Sequence, residues 1–146
     1  MLVVRHAEKQ WEEGDPPLSE AGWDRADALL EVLAESGVSV LFSTQYERTS
    51  QTLEPIAERL GLEILVHDAG DSEGLATRIL AEHAGQVVLV SGHSNTVPEI
   101  VAALGAPEPA PIDDAEYDNL YVVSVDAGRE AATVLLLNFG RPAGEP

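Results

Sequence analysis

The chain has 146 residues, 26 acidic against 8 basic, a formal charge of −18 and no cysteine. That length fits one domain with a real core, and 45% hydrophobic with 23% charged residues argues against disorder. The composition excludes disulfides, thiol catalysis and the usual cysteine-based zinc sites, and the charge disfavours nucleic acid and anionic membranes as partners.

No apolar run approaches the ~20 residues of a membrane span. No signal peptide is visible, because Met1 leads straight into an apolar segment. The expected location is the cytoplasm, unless a leader was removed ahead of Met1. The carboxylate surplus fits a protein whose self-repulsion is screened at high salt, and fits a plain acidic surface equally well.

In chain order, "MLVV" reads as a first strand. "DPPLSEAG" supplies turn residues and a helix N-cap at Ser19, after which Ala26, Leu29, Leu30 and Leu33 repeat with helical spacing and Gly37 fits the end. "VSVLFS" (38–43) is a second strand. "QYERTSQTLEPIAERLG" is a helix kinked or restarted at Pro55 and closed by Gly61. "LEILV" (62–66) is a third strand, and "HDAGDSEG" (67–74) a loop.

Ala76, Ile79, Leu80 and His83 mark a third helical face, with Asp71 as its candidate cap. "QVVLVS" (86–91) is the continuous apolar run of a strand covered on both sides. Val97, Ile100, Val101 and Leu104 mark a fourth helix, followed by a Pro-rich loop over 105–114. "NLYVVSV" and "AATVLLLNF" bracket "DAGRE" as a terminal hairpin. The expectation is a single α/β domain over 1–146. It is a three-layer α/β/α sandwich, with a mostly parallel sheet and a C-terminal antiparallel hairpin.

Sites in such sheets gather at the carboxyl ends of the strands. Strand one ends in Arg5 and His6, strand two in Ser43 and Thr44 with Arg48 just beyond, and strand four in Ser91, Gly92 and His93. Two of seven arginines and two of four histidines thus meet one sheet edge. Guanidinium groups match phosphate oxygens, and helix N-termini add amide donors. A neutral histidine is a competent nucleophile toward phosphorus, and a second, protonated one can stabilise the equatorial oxygens. Adjacent arginines repel a metal cation, so no metal is expected.

Four segments carry a resemblance: "RHAEK", "DPPLSEAG", "STQYERTSQT" and "SGHSN". In that order, over residues 4 to about 104, they resemble the histidine phosphatase (phosphoglycerate mutase-like) superfamily, with its R-H-G, D-x-x-L-[ST]-x-x-G, S-x-x-x-R-x-x-x-T and late G-H segments. The resemblance implies a small single-domain phosphatase with His6 as nucleophile. Arg5, Arg48 and His93 would bind the phosphoryl group, with neither metal nor cofactor. Ala7 departs from the usual glycine. The family's proton donor maps to Glu73, with Asp71 and Glu8 as the next candidates.

The implied substrate is a small phosphomonoester or a phosphohistidine on a protein. Mutase-type transfer and a non-catalytic phosphate-binding protein on the same fold are the alternatives. "GHSNT" is similar to a serine-hydrolase elbow, but Thr96 stands where glycine is required and no histidine follows His93. His67 and His83 are expected to be structural or exposed. Lys9 could contact substrate or be a surface charge. Trp11 could wall the pocket or anchor a loop.

Overall fold

The computed structural model describes residues 1–126 and 131–142. Strand β1 (Leu2–Arg5) is followed by α1 (Glu20–Leu33), β2 (Val38–Ser43), α2 (Glu47–Leu60) and β3 (Ile64–Val66). Then come α3 (Ser72–Glu82), β4 (Val87–Gly92), α4 (Thr96–Ala103), β5 (Asn119–Ser124) and β6 (Thr133–Asn138). One sheet runs in the order β3-β2-β4-β1-β5-β6. The first four strands in that order are mutually parallel, and β5 and β6 close it as an antiparallel pair.

Alternation along the strands sorts side chains to the two faces. Val4, Leu41, Leu89 and Leu120 pack against Leu29 and Leu33 of α1 and Leu53 and Ile56 of α2. Val3, Phe42, Val88 and Val90 pack against Leu75 and Ile79 of α3 and Val97, Ile100 and Val101 of α4. Burial on both faces explains why β4 reads as an unbroken apolar run. Most elements lie where their sequence patterns put them. Part of the segment "DAGRE" lies outside the described residues.

Three boundaries differ. Helix α2 continues through Pro55 as one element rather than restarting there. Strand β3 is shorter than "LEILV", because Leu62 belongs to the chain reversal after Gly61. Helix α3 begins at Ser72, inside the segment expected to be a loop. Asp71 caps it by accepting from the Gly74 N–H at 3.0 Å, so Glu73 sits in a first helical turn rather than on a loop. Its buried face is Leu75, Ala76 and Ile79, with Leu80 turned outward.

The "DPPLSEAG" segment is pinned directly behind the end of β1. The Ser19 N–H donates to the Glu8 carbonyl at 2.9 Å, and the Ser19 hydroxyl caps α1 through the Gly22 N–H. A Cβ at Gly22 would collide with that same Glu8 carbonyl, so only glycine lets α1 approach so closely. Buried Arg25 completes the joint. It pairs with Glu8 at 2.7 Å and donates to the carbonyls of Phe139 and Arg141.

Candidate active site

Strands β2, β4 and β1 are adjacent and parallel, so their carboxyl ends deliver Thr44, His93, Arg5 and His6 to one edge. Helix α2 begins immediately beside them and contributes Arg48 from its first turn. The His6 and His93 rings meet edge to face with centroids 5.4 Å apart. Arg5, His6 and His93 are all buried, and Arg48 keeps only 15% of its side chain exposed.

His6 Nδ1 lies 2.7 Å from the Ala7 carbonyl, an oxygen that can only accept. Nδ1 therefore carries the proton, and Nε2 keeps its lone pair. Burial pushes the His6 pKa down to about 3, with Arg5, His93 and Arg48 adding to the shift against the Ala7 bond. The ring is thus neutral over the ordinary pH range. His93 is pushed down to about 4, first by burial and then by Arg48 and Arg5. Without an anion it is neutral too, so the positive charge expected on the second histidine requires a bound phosphoryl group.

The two arginines are held differently. Arg5 Nη1 donates to the carbonyls of Asp113, Asp114 and Glu116 at 3.2, 2.9 and 2.8 Å, and its guanidinium carbon lies 3.9 Å from the centre of the Tyr117 ring. Its Nε has no hydrogen-bond partner. Arg48 Nε and Nη1 are buried without any hydrogen-bond partner, and Asp15 Oδ1 stands 3.8 Å from Nη1. Unpartnered buried guanidinium nitrogens are costly in a finished structure, and they are what an oxyanion would satisfy. An open cleft of about 290 Å³ lined by Tyr46, Arg48, Gly70, His93 and Asn95 gives access from solvent.

Ala7, which stands where the resembled R-H-G pattern has glycine, is fully buried and packs with Leu18, Ala26 and Trp23, while its N–H donates to the Thr52 hydroxyl at 2.8 Å. The extra methyl thus goes into a small apolar cluster. None of the three proton-donor candidates lines the cleft of Arg48 and His93. Glu8 is paired with Arg25. Asp71 caps α3 and accepts from His67 at 3.0 Å. Glu73 lines a separate acidic cleft with Asp71, Glu99 and Glu108, not the cleft of Arg48 and His93.

Lys9 is exposed and bridges to Leu18, and Trp11 is fully exposed, so it neither walls a closed pocket nor anchors the loop. His83 packs edge-on against Phe42 and bonds Gln86, a structural role. Sequence reading missed Tyr117, Asp15 and the carbonyls of 113–116. Nothing local in the sequence joins residues over a hundred positions apart from Arg5. Among the described residues, no three histidine or carboxylate side chains form a metal-binding group.

The model of the histidine phosphatase superfamily (branch 1) matches residues 1–69. Phosphoserine phosphatase 1 of Hydrogenobacter thermophilus is 36% identical over 75 residues, covering 47% of this chain and 36% of that protein's length. The protein histidine phosphatase SixA in its tungstate complex superposes with a TM-score of 0.72 at 22% identity, covering 94% of this chain and 95% of that one. Mycobacterial glucosyl-3-phosphoglycerate phosphatase with inorganic phosphate gives 0.71 at 17%, covering 97% of both. The amino-terminal half of the chain is thus similar to the histidine phosphatase superfamily, and nearly the whole chain shares the fold of these solved phosphatases.

Proposed function

We propose that this protein is a metal-independent phosphatase that hydrolyses a phosphomonoester or a phosphohistidine through a phosphohistidine on His6. The observation that carries this is the tautomer of His6. Its Nδ1–H is committed to Ala7, which leaves a neutral Nε2 lone pair among Arg5, Arg48 and His93. Nε2 attacks phosphorus and the bond to the leaving group breaks; an imidazole leaves with the proton it already carries, and an ester oxygen takes one from solvent. Water then attacks the phosphohistidine, the P–N bond breaks, and inorganic phosphate leaves. Arg48 and the free nitrogens of Arg5 would neutralise the equatorial oxygens.

Names among the relatives cover a phosphoserine, a protein phosphohistidine and a sugar phosphoglycerate. Of these chemistries, the position of the carboxylates favours a leaving group that needs little proton help. Glu8 and Asp71 are engaged away from the cleft, and Glu73 lines a different one. A phosphorylated imidazole can leave already protonated, whereas a serine alkoxide cannot. The open cleft also suits a residue presented on a protein surface.

The test is phosphate release from phosphohistidine, phosphoserine, phosphoglycerate and an aryl phosphate by wild type and His6→Ala. The expected result is turnover by wild type, fastest with phosphohistidine and the aryl ester, and a loss of at least about 10³-fold in the variant. Turnover that survives in His6→Ala would overturn the mechanism.

A further inference from the structure

Behind His93 stand two buried threonines that the catalytic reading does not use. His93 Nε2 lies 3.0 Å from Thr44 Oγ1, and Thr44 Oγ1 lies 3.0 Å from Thr49 Oγ1. Thr49 Oγ1 in turn lies 2.7 Å from the Tyr46 carbonyl and 3.3 Å from the Thr44 carbonyl. Each hydroxyl has one proton, and a carbonyl has none. Thr49 must therefore spend its proton on a carbonyl. The contact between the two hydroxyl oxygens then needs the Thr44 proton. Thr44 is left with only lone pairs, already accepting from the Tyr46 N–H at 3.3 Å, so the proton on the contact to His93 must be the histidine's own. The reverse arrangement would face the Thr49 lone pairs against the Tyr46 carbonyl at 2.7 Å.

We infer that Thr44, backed by Thr49, is a positioning residue that fixes neutral His93 as its Nε2–H tautomer, so that a dianionic phosphoryl group binds together with one proton taken up on Nδ1. The two histidines are thus held in opposite tautomers. His6 is locked with its proton on Nδ1 and its lone pair on Nε2, and His93 the other way round. Nδ1 of His93 has no hydrogen-bond partner among the described residues, and the residue lines the cleft beside Arg48.

The groups that bear directly on His93 are cationic or neutral, and the carboxylates stand behind them. Arg5 and His6 approach from β1, and Arg48 and the edge-on Tyr46 ring (5.3 Å) from the start of α2. Thr96 caps the His93 backbone N–H from α4. Asp15 faces Arg48, Tyr117 faces Arg5 and His6, and the His67–Asp71 pair lies past Thr44. Burial first, and the two arginines after it, keep His93 neutral until a dianion offsets them. The proton then follows the anion, and the imidazolium donates from both nitrogens, one to Thr44 and one to the ligand.

This rests on the anion-site reading above, and the experiment separates the two. Two-bond proton–nitrogen correlation spectra report the tautomer of His93 without any substrate. Wild type and Thr44→Ser should show Nε2–H. Thr44→Val should move His93 toward Nδ1–H, and so should Thr49→Val, which frees the Thr44 proton for Nε2. Sulfate titrations in buffers of different ionisation enthalpy, at about pH 6, then count protons. Sulfate stays a dianion there, so uptake reports the protein. Wild type and Thr44→Ser should take up about one proton per sulfate, and Thr44→Val less than half of that.

An Nδ1–H tautomer in the wild type, or sulfate binding without proton uptake, would overturn the proposal. If wild type bound no sulfate, the anion-site reading and the coupled uptake would both fall, and the spectra would still judge the threonine relay by itself.

Discussion

Arg5 donates through one nitrogen to three backbone carbonyls, whereas Arg48 keeps two buried nitrogens with no hydrogen-bond partner. The first arginine ties the loop of 113–116 to the end of β1. The second is anchored mainly by packing over Tyr46, at 4.7 Å, and waits for an acceptor. A buried cation with spent hydrogen bonds contributes to the fold, and one with unspent bonds is destabilising until something binds. The same split runs through the histidines. His6 is fixed by a backbone carbonyl that cannot change its role, while His93 is fixed by a hydroxyl that could in principle donate or accept. The β1 half therefore has its hydrogen bonds largely spent within the fold, and the α2/β4 half is where the account expects a ligand to be felt.

Substitutions should separate the halves. Arg48→Ala should cut phosphatase turnover by about 10²–10³-fold while unfolding free energy changes by less than about 1 kcal/mol. Arg5→Ala should also lose turnover, but at a cost of roughly 2–3 kcal/mol in urea unfolding, because the 113–116 loop loses its donor. Equal stability losses in the two variants would erase the distinction. Gly22→Ala should be next in size, destabilising by about 1–3 kcal/mol through the collision with the Glu8 carbonyl, with the loss visible in the urea midpoint.

Lowering the pH should act on the histidines together. Both have folded pKa values below the ordinary 6.5, at about 3 and about 4, so the unfolded chain binds more protons across that interval. Stability contributed by neutral His6 and His93 is complete above pH 6.5 and is lost as pH falls toward those values. The melting temperature should therefore drop on acidification from about pH 6.5, less steeply in His6→Asn and in sulfate. A wild-type profile no steeper than the variant's would contradict the buried, neutral assignment. The smallest effect should come from Glu73→Gln, within about twofold of wild-type turnover, since Glu73 lines another cleft. A hundredfold loss would restore it as proton donor.

What the sequence reveals follows from how local each signal is. Apolar runs that end abruptly in Arg5-His6, Ser43-Thr44 and Gly92-His93 place both the strands and the site quartet, because parallel neighbours bring their carboxyl ends together. The glycine of "DPPLSEAG" is explained only in three dimensions, where Gly22 meets the Glu8 carbonyl. The start of α3 is half legible. Asp71 reads as its cap and is its cap, whereas the turn-like composition of "HDAGDSEG" extends the expected loop to Gly74, two residues into the helix that begins at Ser72. The clasp of Arg5 on carbonyls 113–116, and the threonines behind His93, depend on contacts made by backbone atoms and hydroxyls, which leave no periodic trace. The proton donor was not legible either, because an acidic chain offers a carboxylate near almost any position and only the fold shows which are already paired.

The central claim is that His6 Nε2 carries the phosphoryl group. Acid-sparing rapid quench with a fast aryl phosphate or phosphohistidine, followed by peptide mass spectrometry, measures this directly. The account predicts a transient adduct, labile to acid and stable to alkali, on the peptide containing His6 and absent from His6→Ala. Steady phosphate release with no adduct, or an adduct on His93, would contradict it.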